Sequence, residues 1–224
     1  MKHGLILLAL LLPVSSIADT EMNQEELEHW FNEDSAREDT SSISEGELRL
    51  LEHASVKQSY ISRNWFSITP ASFDTGLVRL RQCHQDLDPV PALEIVYRYQ
   101  RIQNLAIESA TAIGKARVVN NTIQLQDVQK HAALCITAEV GILYHNRDAD
   151  YVLVNGPYHR QFLDGFYPMQ VILDVSYPAE LAMFIDSMPP VQPGVRLQHT
   201  EGRVVLDVLF EGRLNTRLRF RRRQ

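Results

Sequence analysis

The stretch RVVLDVLFEGRLNTRLRF, Arg203 to Phe220, sets the fold class of this chain. Val204, Leu206, Val208 and Phe210 fall on alternate positions, as do Leu214, Thr216, Leu218 and Phe220. Side chains of an extended strand point alternately to opposite faces, so each run has one face to bury. Glu211-Gly212 between the runs is a turn signal. In a hairpin, a two-residue loop would set Phe210 opposite Arg213 and mix the faces. A three-residue loop, Glu211 to Arg213, pairs Phe210 with Leu214, Val208 with Thr216, Leu206 with Leu218 and Val204 with Phe220, with Gly212 at or near the positive-φ position. The opposite face would then pair Asp207 with Arg217 and Val205 with Arg219 and carry Arg203 and Arg221, forming a basic stripe.

The same period recurs upstream. Leu93, Ile95, Tyr97 and Tyr99 share one face of Val90 to Gln100, and Met169, Val171, Leu173, Val175 and Tyr177 share one face of the next clear run. Shorter candidates are Tyr60 to Thr69, Leu77 to Cys83, Asn104 to Ser109, Lys115 to Val119, Ile123 to Val128, Ala132 to Tyr144 and Tyr151 to Val154. Asn120-Asn121, Asp148 to Asp150, Asn155-Gly156-Pro157 and Asp164-Gly165 read as turns between them. Many short alternating strands with no long amphipathic helix between them predict an all-β domain over residues 57–224. Its expected form is an antiparallel β-sandwich or partly closed barrel.

The first 56 residues have a different character. Lys2 and His3 precede an apolar run from Leu5 to Val14, and Ser16 and Ala18 stand three and one before a cut, the pattern of a signal peptide over residues 1–18. The apolar run is too short and too broken to span a bilayer, so no integral membrane segment is expected after cleavage. Residues 19–56 read as an acidic arm of short helices and linker. Twelve acids against Arg37 and Arg49 give Asp19 to Glu52 a net charge of −10, while His53 to Gln224 carries +3. Leu27, Trp30 and Phe31 are the apolar spots of a first helix. Ser44-x-x-Glu47 matches a capping box for a second, with Leu48, Leu51 and Ala54 at helical spacing. The arm either docks on the body or engages a basic partner or face.

Cys83 and Cys135 are the two cysteines, and in an exported chain they form one possible disulfide. Cys83 shares its register with Arg79 and Arg81, and Cys135 with Thr137 and Glu139, so the bridge belongs near an outer face or rim.

Catalytic and cofactor motifs are lacking, and no cofactor or metal is expected: there is no nucleophile elbow, metalloprotease helix, phosphate loop or dinucleotide fingerprint. His84, Asp86 and Asp88 are the best acid–base or cation set, with His145, Asp148 and Asp150 behind them, though such residues also populate ordinary turns. Residues 155–168 are dense in Gly, Pro and aromatics. Tyr158, His159 and Arg160 there are candidate binding residues, with Phe166 and Tyr167 beside them, unless the segment is a corner between strands. Arg217, Arg219 and Arg221 of the stripe are a second binding candidate, flanked by Arg213, Arg222 and Arg223. Outside the cytoplasm nucleic acid is not an expected target, so an envelope protein or an anionic surface is the natural partner. These features predict a periplasmic or secreted binding or accessory protein. The alternatives are a secreted hydrolase or carbohydrate-active enzyme with a site built from separated His and acidic residues, and a structural subunit of an envelope assembly.

Overall fold

A computed structural model describes residues 46–52, 60–146, 150–162 and 165–223. The signal segment, Trp30 and Phe31 lie outside them. In chain order the elements are β1 (Arg49–Leu50), β2 (Tyr60–Ser67), the single turn α1 (Ser72–Thr75), β3 (Leu77–Leu87), β4 (Ala92–Val96), β5 (Ile102–Val119), β6 (Thr122–Gly141), β7 (Leu143–His145) and β8 (Asp150–Tyr158). They continue with β9 (Gln161–Phe162), β10 (Gly165–Phe166), β11 (Met169–Ser176), β12 (Ala182–Met188), β13 (Val195–Thr200), β14 (Arg203–Glu211) and β15 (Leu214–Arg222).

Two mainly antiparallel sheets form a sandwich. The larger runs β1-β14-β11-β2-β3-β6-β4, with β13 also on β14 and β5 also on β6, and the smaller runs β12-β15-β8-β7. One pair, β11 with β2, is parallel. Val204, Leu206, Val208 and Phe210 of the large sheet and Leu214, Leu218 and Phe220 of the small one join a single buried cluster. Burying a side chain of this size stabilises the fold by about 1.5–3 kcal/mol.

β14 and β15 are therefore not a hairpin. The alternation is as expected, but β14 pairs with β11, β13 and β1, whereas β15 pairs with β8 and β12. The chain crosses from one sheet to the other at Gly212, whose φ is 88°. Both apolar faces then look inward, which a shared sheet edge would not have needed. Asp207 accepts a hydrogen bond from Gln170 Nε2 at 2.7 Å rather than pairing with Arg217.

A second helix does not form in the described part of the arm. Gly46 has φ 94°, and Arg49 and Leu50 pair with Glu211 and Phe210 to extend the large sheet. Leu51 N–H donates to Leu209 O at 2.9 Å. Sheet pairing and the packing of Leu50 against the core outweigh the local capping preference. The strand β1 thus lies inside the span read as arm.

Four of the short strands fuse into two long ones. β5 and β6 form one hairpin about the Asn120-Asn121 turn, with register shifts at Gln103/Ala106, Ile107/Ser109 and Thr111/Ile113. Asn104, Ala112, Asp127 and His131 take positive φ. Such irregularities interrupt the period of two without ending the pairing. Cys83 and Cys135 are directly opposed on β3 and β6 and joined in a disulfide. Among the described residues no helix is long and apolar enough to cross a membrane.

Candidate functional site

The inner face of β2 and β3 is not wholly apolar. Alternation that buries Phe66, Val78 and Leu80 also turns Ser62, Asn64, Gln82 and His84 inward, each 3% exposed or less. Cross-strand register sets Ser62 against His84 and Asn64 against Gln82. Buried polar groups need partners, and these supply one another's. Gln82 Nε2 donates to Asn64 Oδ1 at 2.5 Å and to Ser62 Oγ at 3.3 Å. Asn64 Nδ2 donates to the Ser62 carbonyl at 3.1 Å. Gln82 Oε1 accepts from the Tyr97 hydroxyl at 2.7 Å and meets His84 Nε2 at 3.0 Å. His84 Nδ1 is hydrogen-bonded to the Tyr60 hydroxyl.

β4 continues the track of β3 along the edge of β6, and between them Val90 and Pro91 carbonyls accept from Val128 and Asp127 N–H. Below this step a cavity of about 480 Å³ lies between the two sheets, closed on the far side by the end of β8 and the residues after it. Tyr60, Tyr97, Tyr99 and Tyr158 line it, with Leu93 and Met169 among its apolar walls. Tyr99 donates to Asn155 Oδ1 at 3.0 Å, the Asn155 amide nitrogen donates to the Tyr158 oxygen, and Asn155 Oδ1 also accepts from Gly156 N at 2.9 Å.

Burial makes this interior resist charge. It pushes all four tyrosine hydroxyls above their ordinary range, and it lowers His84 to about 4. His84 is therefore a neutral imidazole at pH 7. Charge sits at the mouth instead. Arg160 grips Asp88 through both nitrogens of its fork, Nε to Oδ2 at 3.0 Å and Nη2 to Oδ1 at 2.5 Å, and donates to Pro168 O at 3.0 Å. His159 is lowered by burial and then by the nearby cations Arg98 and Arg213, with a small opposing contribution from the Pro157 backbone. Its Nδ1 is buried and makes no hydrogen bond of ordinary geometry.

Of the residues singled out from sequence, Tyr158, His159 and Arg160 come together on the cavity wall. The segment that carries them is not a simple loop. Asn155 to Tyr158 are the last residues of β8, and the chain then makes the small β9–β10 hairpin before returning to the large sheet at Met169. Arg217, Arg219 and Arg221 lie elsewhere, on β15. There Arg219 bonds Asp186 and Arg221 Nε meets Asp150 Oδ1 at 3.0 Å, so acids temper the stripe.

The expected His84, Asp86 and Asp88 set disperses. β3 runs on to Leu87, with a register shift between Gln85 and Leu87 and φ 54° at Asp86. His84 enters the buried network, Asp86 meets His131 Nδ1 at 3.2 Å, and Asp88 is held by Arg160. In the second set His145 rests edge-on against Tyr151, Asp150 binds Arg221 and Arg219, and Asp148 lies outside the described residues. Glu108 lies close to both cysteine sulfurs, but a disulfide has no thiolate to offer a metal. Ser62, Asn64 and Gln82 were missed from sequence, although each shares its face with Phe66 or Leu80, a polar residue on an apolar register.

No protein-family model matches the sequence, and the comparison with curated proteins finds no match. Two solved structures resemble the fold distantly. One is a mutant of a two-domain M1 zinc metallopeptidase bound to L-tryptophan, 11% identical with a TM-score of 0.39. The other is a mutant M1 zinc metallopeptidase from Deinococcus radiodurans bound to a Tyr-Ser-Ala substrate, 10% identical with a TM-score of 0.37. Each match covers 80% of this chain and 43% of the other, so the chain spans under half the length of either. Neither likeness bears on what this chain does.

Proposed function

We propose that this chain is an exported binding protein of the cell envelope that takes a small ligand between its two sheets. The observation that carries this reading is the cavity, walled by four tyrosines and floored by a buried polar network already in place. A cleft of this volume falls in the usual range for small-molecule sites, which combine apolar walls with a few fixed polar groups. Preorganised partners cost little further ordering on binding. The Cys83–Cys135 disulfide fits an oxidising compartment, in keeping with export. The basic stripe gives less support to an anionic surface as target, because Arg219 and Arg221 already hold acids. The hydrolase alternative has less support too, since its proposed histidine and carboxylates face different partners.

A library of small polar compounds, screened by protein-observed NMR on the disulfide-bonded chain from Asp19, tests the reading. Leu93→Trp adds bulk to the half-buried Leu93 on the cavity wall, and Val90→Phe is a second filling variant should the first not fold. Bound compounds are expected to shift resonances of Tyr97 and Tyr158 and to lose at least tenfold in affinity in a folded filling variant. Compounds that bind only elsewhere, or a screen without binders, would overturn it.

A further inference from the structure

The direction of every proton in the cavity floor follows from its partners. A neutral imidazole carries one N–H, and an amide oxygen only accepts, so His84 Nε2 donates to Gln82 Oε1 and Nδ1 accepts from Tyr60. Tyr97 spends its proton on the same Gln82 oxygen, and Tyr99 spends its own on Asn155. Both phenol oxygens keep lone pairs and have no proton left to give. Tyr158 accepts from Asn155 and retains its proton. The inner cavity thus offers more acceptors than donors, and its complement is a ligand rich in O–H or N–H groups. The Tyr97 and Tyr99 rings lie near parallel, 21° apart with centroids 6.2 Å apart, and their electron-rich faces suit polarised C–H groups.

The mouth has the opposite preference. Arg160 is neutralised by Asp88, whereas Glu94 accepts from the neutral Gln124 amide at 3.3 Å, a bond that does not cancel its charge, so the anion's place is at Arg98 and not beside Glu94. Arg98 has no ion-pair partner among the described residues, and it lies close enough to His159 to disfavour a second positive charge there. His159 Nδ1 makes no hydrogen bond of ordinary geometry, and the Pro157 backbone is the ring's polar neighbour. A cation beside an unsatisfied ring nitrogen favours an anionic or hydroxyl-bearing group at this point.

On the reading that the cavity is a ligand site, we infer that its ligand is an acidic saccharide, with hydroxyls toward Tyr97 and Tyr99 and a carboxylate toward Arg98 and His159. NMR titration of the disulfide-bonded chain with D-glucuronate, D-glucose and sodium acetate tests this. Glucuronate should bind about tenfold more tightly than either glucose or acetate. Arg98→Ala, at an exposed position, should bring glucuronate down to the level of glucose, and Tyr97→Phe should weaken both sugars alike. Acetate equal to glucuronate, glucose equal to glucuronate, or an unchanged ratio in Arg98→Ala would each overturn the inference. If neither sugar binds while other compounds still bind in a way that Leu93→Trp or Val90→Phe blocks, the ligand class falls and the cavity reading stands. If nothing binds there, both fall.

Discussion

His84 shows how one residue ties the site to the stability of the fold. Its buried ring titrates near 4, whereas the unfolded chain's histidine titrates near 6.5. Between these values the unfolded state binds the extra proton, so stability rises with pH across the window. It is complete above about pH 6.5 and is lost as pH falls toward 4, by about 3 kcal/mol. Unfolding free energies from urea titrations between pH 7 and 4 should fall by at least this amount, since burial also lowers His159, and the slope should flatten in part in His84→Gln, which keeps a polar group at the position. Asp150 does not confuse the window, because the Arg221 hydrogen bond holds its carboxyl below the ordinary value and its contribution is lost only at lower pH. In sequence His84 looked like one of three alternating ligands near a turn. The register shift that parts it from Asp86 and Asp88 leaves no mark that composition or spacing can show.

Among the elements, the passage from β14 to β15 separates local pattern from global pairing. Every apolar position of the two strands was legible, because burial follows the period of two. Their partners were not, since a three-residue connection serves a hairpin and a crossing between sheets equally well. Gly212 decides it. A Cβ there would lie 1.8 Å from Glu47 O, so the turn admits the segment before β1 only while residue 212 has no side chain. Its φ of 88° also lies in the region that favours glycine. Gly212→Ala should destabilise the protein by about 2–4 kcal/mol, read as a lower urea midpoint with unchanged m value. A loss under 0.5 kcal/mol would show that β1 does not press on this turn. β12 and β13 went unread for a related reason: prolines at 178, 189, 190 and 193 flank them, and their partners β15 and β14 supply the order that their own residues lack.

For the whole molecule, the disulfide is the covalent constraint that the sequence could assign. It joins adjacent strands 52 residues apart in sequence. On the chain-entropy model, closing a loop of that length contributes about 4 kcal/mol by restricting the unfolded chain. The double variant Cys83→Ser, Cys135→Ser should therefore lose about that much unfolding free energy, read as a lower urea midpoint, as should the reduced protein. A midpoint unchanged in both would mean that the unfolded chain is already compact around these strands. The sequence by itself determined the fold class, the inward faces of most strands and the cysteine pairing, since these depend on local periodicity and on there being one pair to make. The tertiary structure alone decided which strands share a sheet, that Arg49–Leu50 joins it, and that Tyr60, His84, Gln82, Tyr97 and Asn155 meet around one cavity. Those contacts join residues as far apart in sequence as Arg49 and Glu211, 162 positions. No local preference encodes such a meeting; it arises when two sheets bury their apolar faces together and the polar residues left inside must satisfy one another.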